Sequence, residues 1–469
     1  MQMLIAGEWV DGDGSTEVTS PYSGDTIDTV PRAGPAEVER ALAAAVEGAR
    51  QMARLTAYER SSLLLRAASL LEERLDEVAR IISLEEGKPI TEARAEAVRC
   101  PDLLRLCAFE GAQLRGETLP LDAAANGAGK SGMTIRVPCG VVVAIAPFNY
   151  PLLLVVHKVG PALAAGNAVI LKPAERTPLS ALVLAEVLVE AGLPPLALQC
   201  VTGPGSLLGP ALVADPRVRL VTFTGSTEVG EQITRIAGVK HLCLELGSNA
   251  PLVVLDDADA EAVAAAIASA GYANAGQVCI STQNVLVQRA LYGDVLDALV
   301  PAVEAIRIGD PLDEDTRLAA MITEADAVRV EDWLRQAEQR GARILTGGER
   351  SGAILSPAVV ADVDPQMPIS CRELFGPAVG VMPVADLDEA LGIVNGSPYG
   401  LGAGIITNHL PSALKFARHA EAGNVHLNGT PTWRADFMPY GGLKGSGIGK
   451  EGPRYAVEEM TEAKTIVFH

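Results

Sequence analysis

Positive charge is scarce in this chain: 38 Lys and Arg stand against 58 Asp and Glu, a formal net charge of −20. Such a surface repels phosphate backbones and anionic lipid, which excludes nucleic acid and membrane as general partners. Cysteine is also sparse. Cys100, Cys107, Cys139, Cys200, Cys243, Cys279 and Cys371 are odd in number and scattered, with no CxxC pair. That excludes a disulfide framework, gives no metal expectation, and points to a reducing, cytoplasmic setting. Long apolar runs are missing too; "VVVAIAP" is far too short to span a bilayer. The opening "MQMLIAGEWVDGDG" lacks a basic flank followed by an apolar run, so no signal peptide is expected. No internal repeat or low-complexity tract is visible.

What is present is a globular composition, 48% hydrophobic and 20% charged, over 469 residues. That length is too great for one core and predicts two or three domains. Residues 36–54 and 57–86 read as amphipathic helices. In the second, Leu64, Ala67, Leu71, Leu75, Val78 and Ile82 share a stripe that "GKP" at 87–89 ends. "GVVVAIAPFN", "NAVILKPAE", "LQCVTG", "LVTFTGS" and "HLCLELG" read as short buried strands separated by helices. That alternation means a doubly wound parallel sheet. Near residue 247 the pattern closes, and "APLVVLDDAD" begins a second α/β region. Residues 121–132, "LDAAANGAGKSG", read as a flexible excursion.

A parallel sheet binds ligands beyond the carboxyl ends of its strands. Two loops there are candidates. In "FTGSTEVG", Gly225 permits close approach, and Ser226 opens a helix whose N–H groups favour phosphate; a plain capping turn fits as well. In "LKPAE", Lys172 and Glu175 suit ribose hydroxyls, or form a solvated pair. Three further residues bear on carbon chemistry. Cys279, in the uncharged "YANAGQVCISTQ", is either an inert core thiol or a nucleophile. No histidine motif adjoins it, but Glu245 in "LELGSN" sits between two leucines, which suits a general base with raised pKa. Asn149 in "PFNYP" lies on a turn stiffened by two prolines and offers an amide to an oxyanion.

These segments, together with "ELFGP", "YGLGAGI" and "PYGGLKGSGIGKEG", resemble the aldehyde dehydrogenase superfamily in order and over nearly the whole chain. The resemblance implies that Cys279 is the nucleophile, that Asn149 and the Cys279 backbone N–H form the oxyanion hole, and that Glu245 activates water. It implies cofactor contacts from Lys172, Glu175, Gly225, Ser226, Leu246, Glu373 and Phe375. The implied cofactor is NAD, with NADP as the alternative, since Glu175 would repel an added phosphate. It implies a nucleotide-binding domain (1–117 and 136–246) and a catalytic domain (247–450). A small β arm (118–135 and 451–469) would pair subunits into dimers or tetramers.

Gly247, Ser248 and Asn249 stand where many members read Gly-Gly-Lys. This variant, with "GQVCIS", resembles the lactaldehyde and phosphonoacetaldehyde dehydrogenase branch, while Arg99, Arg434 and Tyr150 together resemble the non-phosphorylating glyceraldehyde-3-phosphate dehydrogenases. The implied substrate funnel falls on Arg99, Tyr150, Leu154, His157, Val278, Ile280 and Arg434. Two unpaired arginines in an apolar tunnel would be costly, so a small aldehyde with an anionic tail is expected. Val278 stands where relatives that hold a phosphate carry another Arg. Broad lactaldehyde or semialdehyde oxidation, a cysteine hydrolase, and a non-catalytic binding protein are the alternatives.

Overall fold

The computed structural model describes residues 1–469. The β-branched runs form five parallel strands: β1 (Val141–Ile145), β2 (Ala168–Lys172), β3 (Leu198–Cys200), β4 (Val218–Thr224) and β5 (His241–Glu245). They lie in the order β3-β2-β1-β4-β5, so the chain reverses direction across the sheet at β1. Such a switch point opens a crevice beyond the carboxyl ends of the strands. Asn149 follows β1, Lys172 ends β2, Gly225 follows β4 and Glu245 ends β5. Four widely separated residues are thus delivered to one edge. Short antiparallel strands flank the set, Met3–Ile5 beside β3 and Gly447–Ile448 beside β5.

The second sheet holds β6 (Pro251–Val254), β7 (Asn284–Gln288), β8 (Ala358–Ala361), β9 (Ala378–Val384), β10 (Gly402–Ile406) and β11 (Asn424–Leu427). Their order is β8-β9-β7-β6-β10-β11, all parallel, with Arg343–Thr346 antiparallel at the β8 edge. Cys279 lies in the stretch leading into β7. A third sheet joins Thr118–Leu119, Ser131–Pro138 and Thr461–Phe468. The tail from residue 451 divides. Pro453–Glu459 is a helix whose Val457 and the following Met460 are buried in the core of the first sheet, and only Thr461–Phe468 enters the small sheet. No helix is long and apolar enough to cross a membrane.

The first expected helix is α1 (Pro35–Arg54). The second, expected to run unbroken over 57–86, is two: α2 (Ala57–Glu72) and α3 (Leu75–Glu86). The break falls where Arg74 leaves the helical region and its guanidinium grips Glu77 and, across a gap in sequence, Glu186. Leu64, Ala67, Leu71, Val78 and Ile82 still face the core, while Leu75 at the break is half-buried. Gly87, at φ +91°, ends α3 in the left-handed conformation that glycine adopts without a Cβ penalty.

Behind the Asn149 turn lies a fully buried ion pair. Lys88 Nζ is 2.8 Å from Glu96 Oε2 on α4 (Ile90–Ala112) and donates to the Asn149 carbonyl. The other Glu96 oxygen accepts from the N–H groups of Leu152 and Leu153, where α5 (Leu153–Ala164) starts. One carboxylate therefore neutralises the lysine and caps the helix that follows the turn. Glu96→Ala should cost about 3–5 kcal/mol, because it strands a buried ammonium. The fall in urea midpoint checks this; an unchanged midpoint would mean that the pair does not hold the turn.

Candidate active site

The loop before β7 is wound tightly. Asn274, Ala275 and Gly276 take φ of +51°, +52° and +71° in succession. A Cβ on Gly276 would meet the Gly376 carbonyl oxygen at 2.1 Å, so only glycine fits there. Two non-glycine residues in this conformation are strained, and buried hydrogen bonds compensate. Asn274 N–H donates to Glu92, and its amide donates to Glu86 and the Asn149 carbonyl. The strained loop is thereby tied to the turn on the first sheet. It presents Cys279 beside an apolar cluster of Val278, Ile280, Leu401 and Tyr440, with Tyr150 packed against it. Cys279 Sγ lies 3.1 Å from Tyr440 Oη. Burial pushes the thiol up to about 12, and the Tyr440 contact acts in the opposite direction.

Glu245 reaches the same seam from the end of β5. Burial first, then the nearby Glu451 charge, hold its pKa well above the ordinary carboxylate range; Arg434, Lys158 and Lys450 pull it down. One of its oxygens is buried with no partner. The Asn149 side chain is buried and donates to the Gln277 carbonyl at 2.7 Å, two residues before the thiol. Cys279, Ser248, Glu373 and Phe375 line one small cavity. A larger cavity of about 480 Å³ lies elsewhere, between Asn249, Asn284, Ser370 and Ser397, and its lining contains neither Glu245 nor Asn149.

The funnel arginines are not unpaired, which corrects the expectation. Arg99 makes a two-pronged ion pair with Asp436, at 3.1 and 2.6 Å. Arg434 bonds Glu451 at 3.1 Å, stacks 3.9 Å above the Tyr440 ring, and touches His157 at 3.2 Å. His157 also meets Asp436 at 3.2 Å; burial and the Arg434 charge lower its pKa, which keeps it neutral. Glu451 binds Lys158 of α5 at 3.1 Å as well, and the charges around it hold its carboxyl low despite burial. Arg434 Nε alone is buried without a partner. The Tyr150 ring carries Lys88 Nζ on its face, 4.1 Å from the ring centre. Leu154 is buried on α5.

The expected cofactor residues line the crevice of the first sheet and its seam with the second. Lys172 Nζ donates to its neighbour's carbonyl, and burial lowers it to about 8. Gly205 lies beside the lysine, where a Cβ would stand 3.6 Å from that Nζ. Glu175 is exposed next to it. Gly225 packs on the Phe223 ring, and Ser226 caps the helix Thr227–Ile236 by accepting from Val229 N–H. Both readings of that turn remain compatible, since the cap leaves other N–H groups at the helix end. Leu246 is buried beneath Gly230. Glu373 accepts from Ser248 N–H, and burial raises it to about 7. Phe375, at φ +48°, meets Phe148 edge-on at 5.9 Å. These residues fit a nicotinamide dinucleotide: glycines where backbone must come close, and a lysine and carboxylates where hydroxyls would lie.

Sequence reasoning missed Tyr440, Asp436, Glu451 and Lys158. One signal existed for Lys158, a charge inside the apolar run "LLLVVHKVGPALAAG". Cys139, His241 and Glu462 also converge at the foot of the small sheet, where Arg219 already stands 3.6 Å from Glu462.

A model of the aldehyde dehydrogenase family matches residues 9–466. The 3-sulfolactaldehyde dehydrogenase of Priestia aryabhattai is 42% identical over 467 residues, covering all of this chain and 98% of that protein. Lactaldehyde dehydrogenase of Methanococcus vannielii is 39% identical over 475 residues, covering all of both. The crystal structure of NADP-dependent glyceraldehyde-3-phosphate dehydrogenase from Bacillus halodurans, complexed with NADP, is similar with a TM-score of 0.97 and 36% identity, covering all of this chain and 98% of that one. The chain belongs to the aldehyde dehydrogenase family and is an oxidoreductase acting on aldehydes.

Proposed function

We propose that the enzyme oxidises a small aldehyde with an anionic tail to its acid, through a thiohemiacetal and then a thioester on Cys279. The observation that carries the covalent route is the meeting of Cys279, Glu245 and the Asn149 turn at one buried seam. Cys279 Sγ adds to the carbonyl carbon, and the carbonyl electron pair moves to oxygen, where the Asn149 amide and Cys279 N–H oppose its charge. A bound nicotinamide cofactor supplies the hydride acceptor. Loss of hydride leaves a thioester, and Glu245 takes the proton of the water that hydrolyses it. Because its pKa is raised, Glu245 is protonated at low pH and becomes a base only as pH rises. Hydrolysis should therefore quicken with pH until Glu245 is ionised. Cys279→Ala should abolish oxidation and leave cofactor binding intact. Glu245→Gln should give one burst of reduced cofactor and then stall; wild-type turnover by that variant would remove Glu245 as the base.

The anionic tail is supported by the local charge balance. Arg99, Lys158 and Arg434 face three carboxyl groups, Asp436, Glu451 and Glu245; with His157 neutral and Glu245 held towards its protonated form, one positive charge is in surplus until Glu245 ionises. Arg434 Nε adds a buried donor without an acceptor. The named substrates of two relatives carry a sulfonate or a phosphate. A neutral substrate is the second reading, because another full-length relative is named for lactaldehyde. Arg99→Ala should raise KM for sulfolactaldehyde about ten- to a hundredfold and that for lactaldehyde little. If wild type prefers lactaldehyde, or the variant weakens both equally, the neutral reading stands.

For the cofactor, the exposed Glu175 beside Lys172 supports NAD, since it would face the extra phosphate of NADP. Wild-type kcat/KM should be higher with NAD, and Glu175→Gln should narrow the gap. Equal wild-type efficiency with both would show that Lys172 outweighs Glu175. A homodimer or homotetramer in the cytoplasm completes the reading: the outer edge of Thr461–Phe468 has no partner strand within the chain, and all seven cysteines are free thiols.

A further inference from the structure

We propose that Tyr440 is a further catalytic residue, whose phenol donates a hydrogen bond to the Cys279 sulfur and stabilises it as the attacking thiolate. This rests on the reading of Cys279 as the nucleophile. A buried thiol needs something to favour its anion, and no histidine is hydrogen-bonded to it. The charged groups facing Cys279 are Glu373, Glu245 and Arg434. The two carboxyls oppose a thiolate when ionised, and Arg434 is already committed to Glu451. The phenol, 3.1 Å away, is the one hydrogen-bonding side chain on the sulfur.

Tyr440 is held for that task. Its backbone exchanges two hydrogen bonds with Glu451, N–H to carbonyl in both directions, at 3.1 and 2.7 Å. Its ring is clamped between the apolar cluster of Val278, Ile280 and Leu401 and the Arg434 guanidinium. The groups facing the phenol are Cys279, Arg434 and Glu245, and burial pushes its own pKa well above the ordinary tyrosine range. It therefore keeps its proton and acts as a donor rather than an acid. The balance is simple. The thiol proton leaves to water, the sulfur lone pair forms the S–C bond, and the phenol proton stays in place throughout.

The test is the pH dependence of iodoacetamide alkylation at Cys279 in wild type and Tyr440→Phe, with Cys279→Ser as the blank for the other six thiols. Phenylalanine fits the apolar cluster, so the melting temperature should hold. Alkylation of Tyr440→Phe at pH 8 should be about tenfold slower, its midpoint about one pH unit higher, as loss of one charge-assisted hydrogen bond requires. Its kcat should fall with KM little changed. If Tyr440→Phe melts early, 3-fluorotyrosine at position 440, a more acidic phenol, should lower the midpoint instead. An unshifted midpoint in whichever variant is folded, beside an inert Cys279→Ser, overturns the role of Tyr440 alone. A Cys279→Ser enzyme that still oxidises aldehyde overturns the nucleophile reading, and this proposal with it.

Discussion

One buried carboxylate, Glu451, organises the chemistry of this enzyme. It binds Lys158 on a helix of the first sheet and Arg434 on the loop that follows the second, each at 3.1 Å. Through Arg434 it fixes the face of Tyr440, and through its own backbone it fixes that residue's main chain. Through its charge it lifts the pKa of Glu245. Removing one member of such a buried set strands the others, at about 3–5 kcal/mol per broken pair. An apolar replacement of the whole set need not be less stable. The arrangement is therefore better understood as positioning: it specifies where one thiol, one carboxyl and one phenol stand relative to each other.

The seam between the sheets explains why the site needs both. The first sheet supplies Asn149 and Glu245 from strand ends, and the second supplies Cys279 from a strained loop. Neither half holds a complete set. The two are stitched by polar groups out of contact with water: Lys88 and Asn274 share the Asn149 carbonyl, and Gln277 accepts from the Asn149 amide. A register error of a residue at any of these would leave buried donors unpaired, which penalises every arrangement but one.

The parallel strands were legible because buried strands of a doubly wound sheet read as continuous β-branched runs, and their carboxyl ends locate the crevice. Glu245 and Asn149 were legible for the same reason: a polar residue just beyond such a run stands out. The break in the helix over 57–86 was not, because both halves continue one apolar stripe and the interruption depends on Arg74 reaching Glu186, 112 residues away. The pairing of Arg99 with Asp436 spans 337 residues, and that of Cys279 with Tyr440 spans 161. No local pattern encodes contacts of that separation. Arg99 and Arg434 look unpaired in the sequence for the same reason, since charge is visible there while its neutralisation is a property of the fold.

The covalent route can be tested directly by quenching wild-type turnover in acid within the first cycle and weighing the peptide that contains Cys279. The mass should rise by that of the acyl group derived from the aldehyde, and only when oxidised cofactor is present. An unmodified Cys279 peptide during active turnover, or an acyl group on another cysteine, would contradict the account.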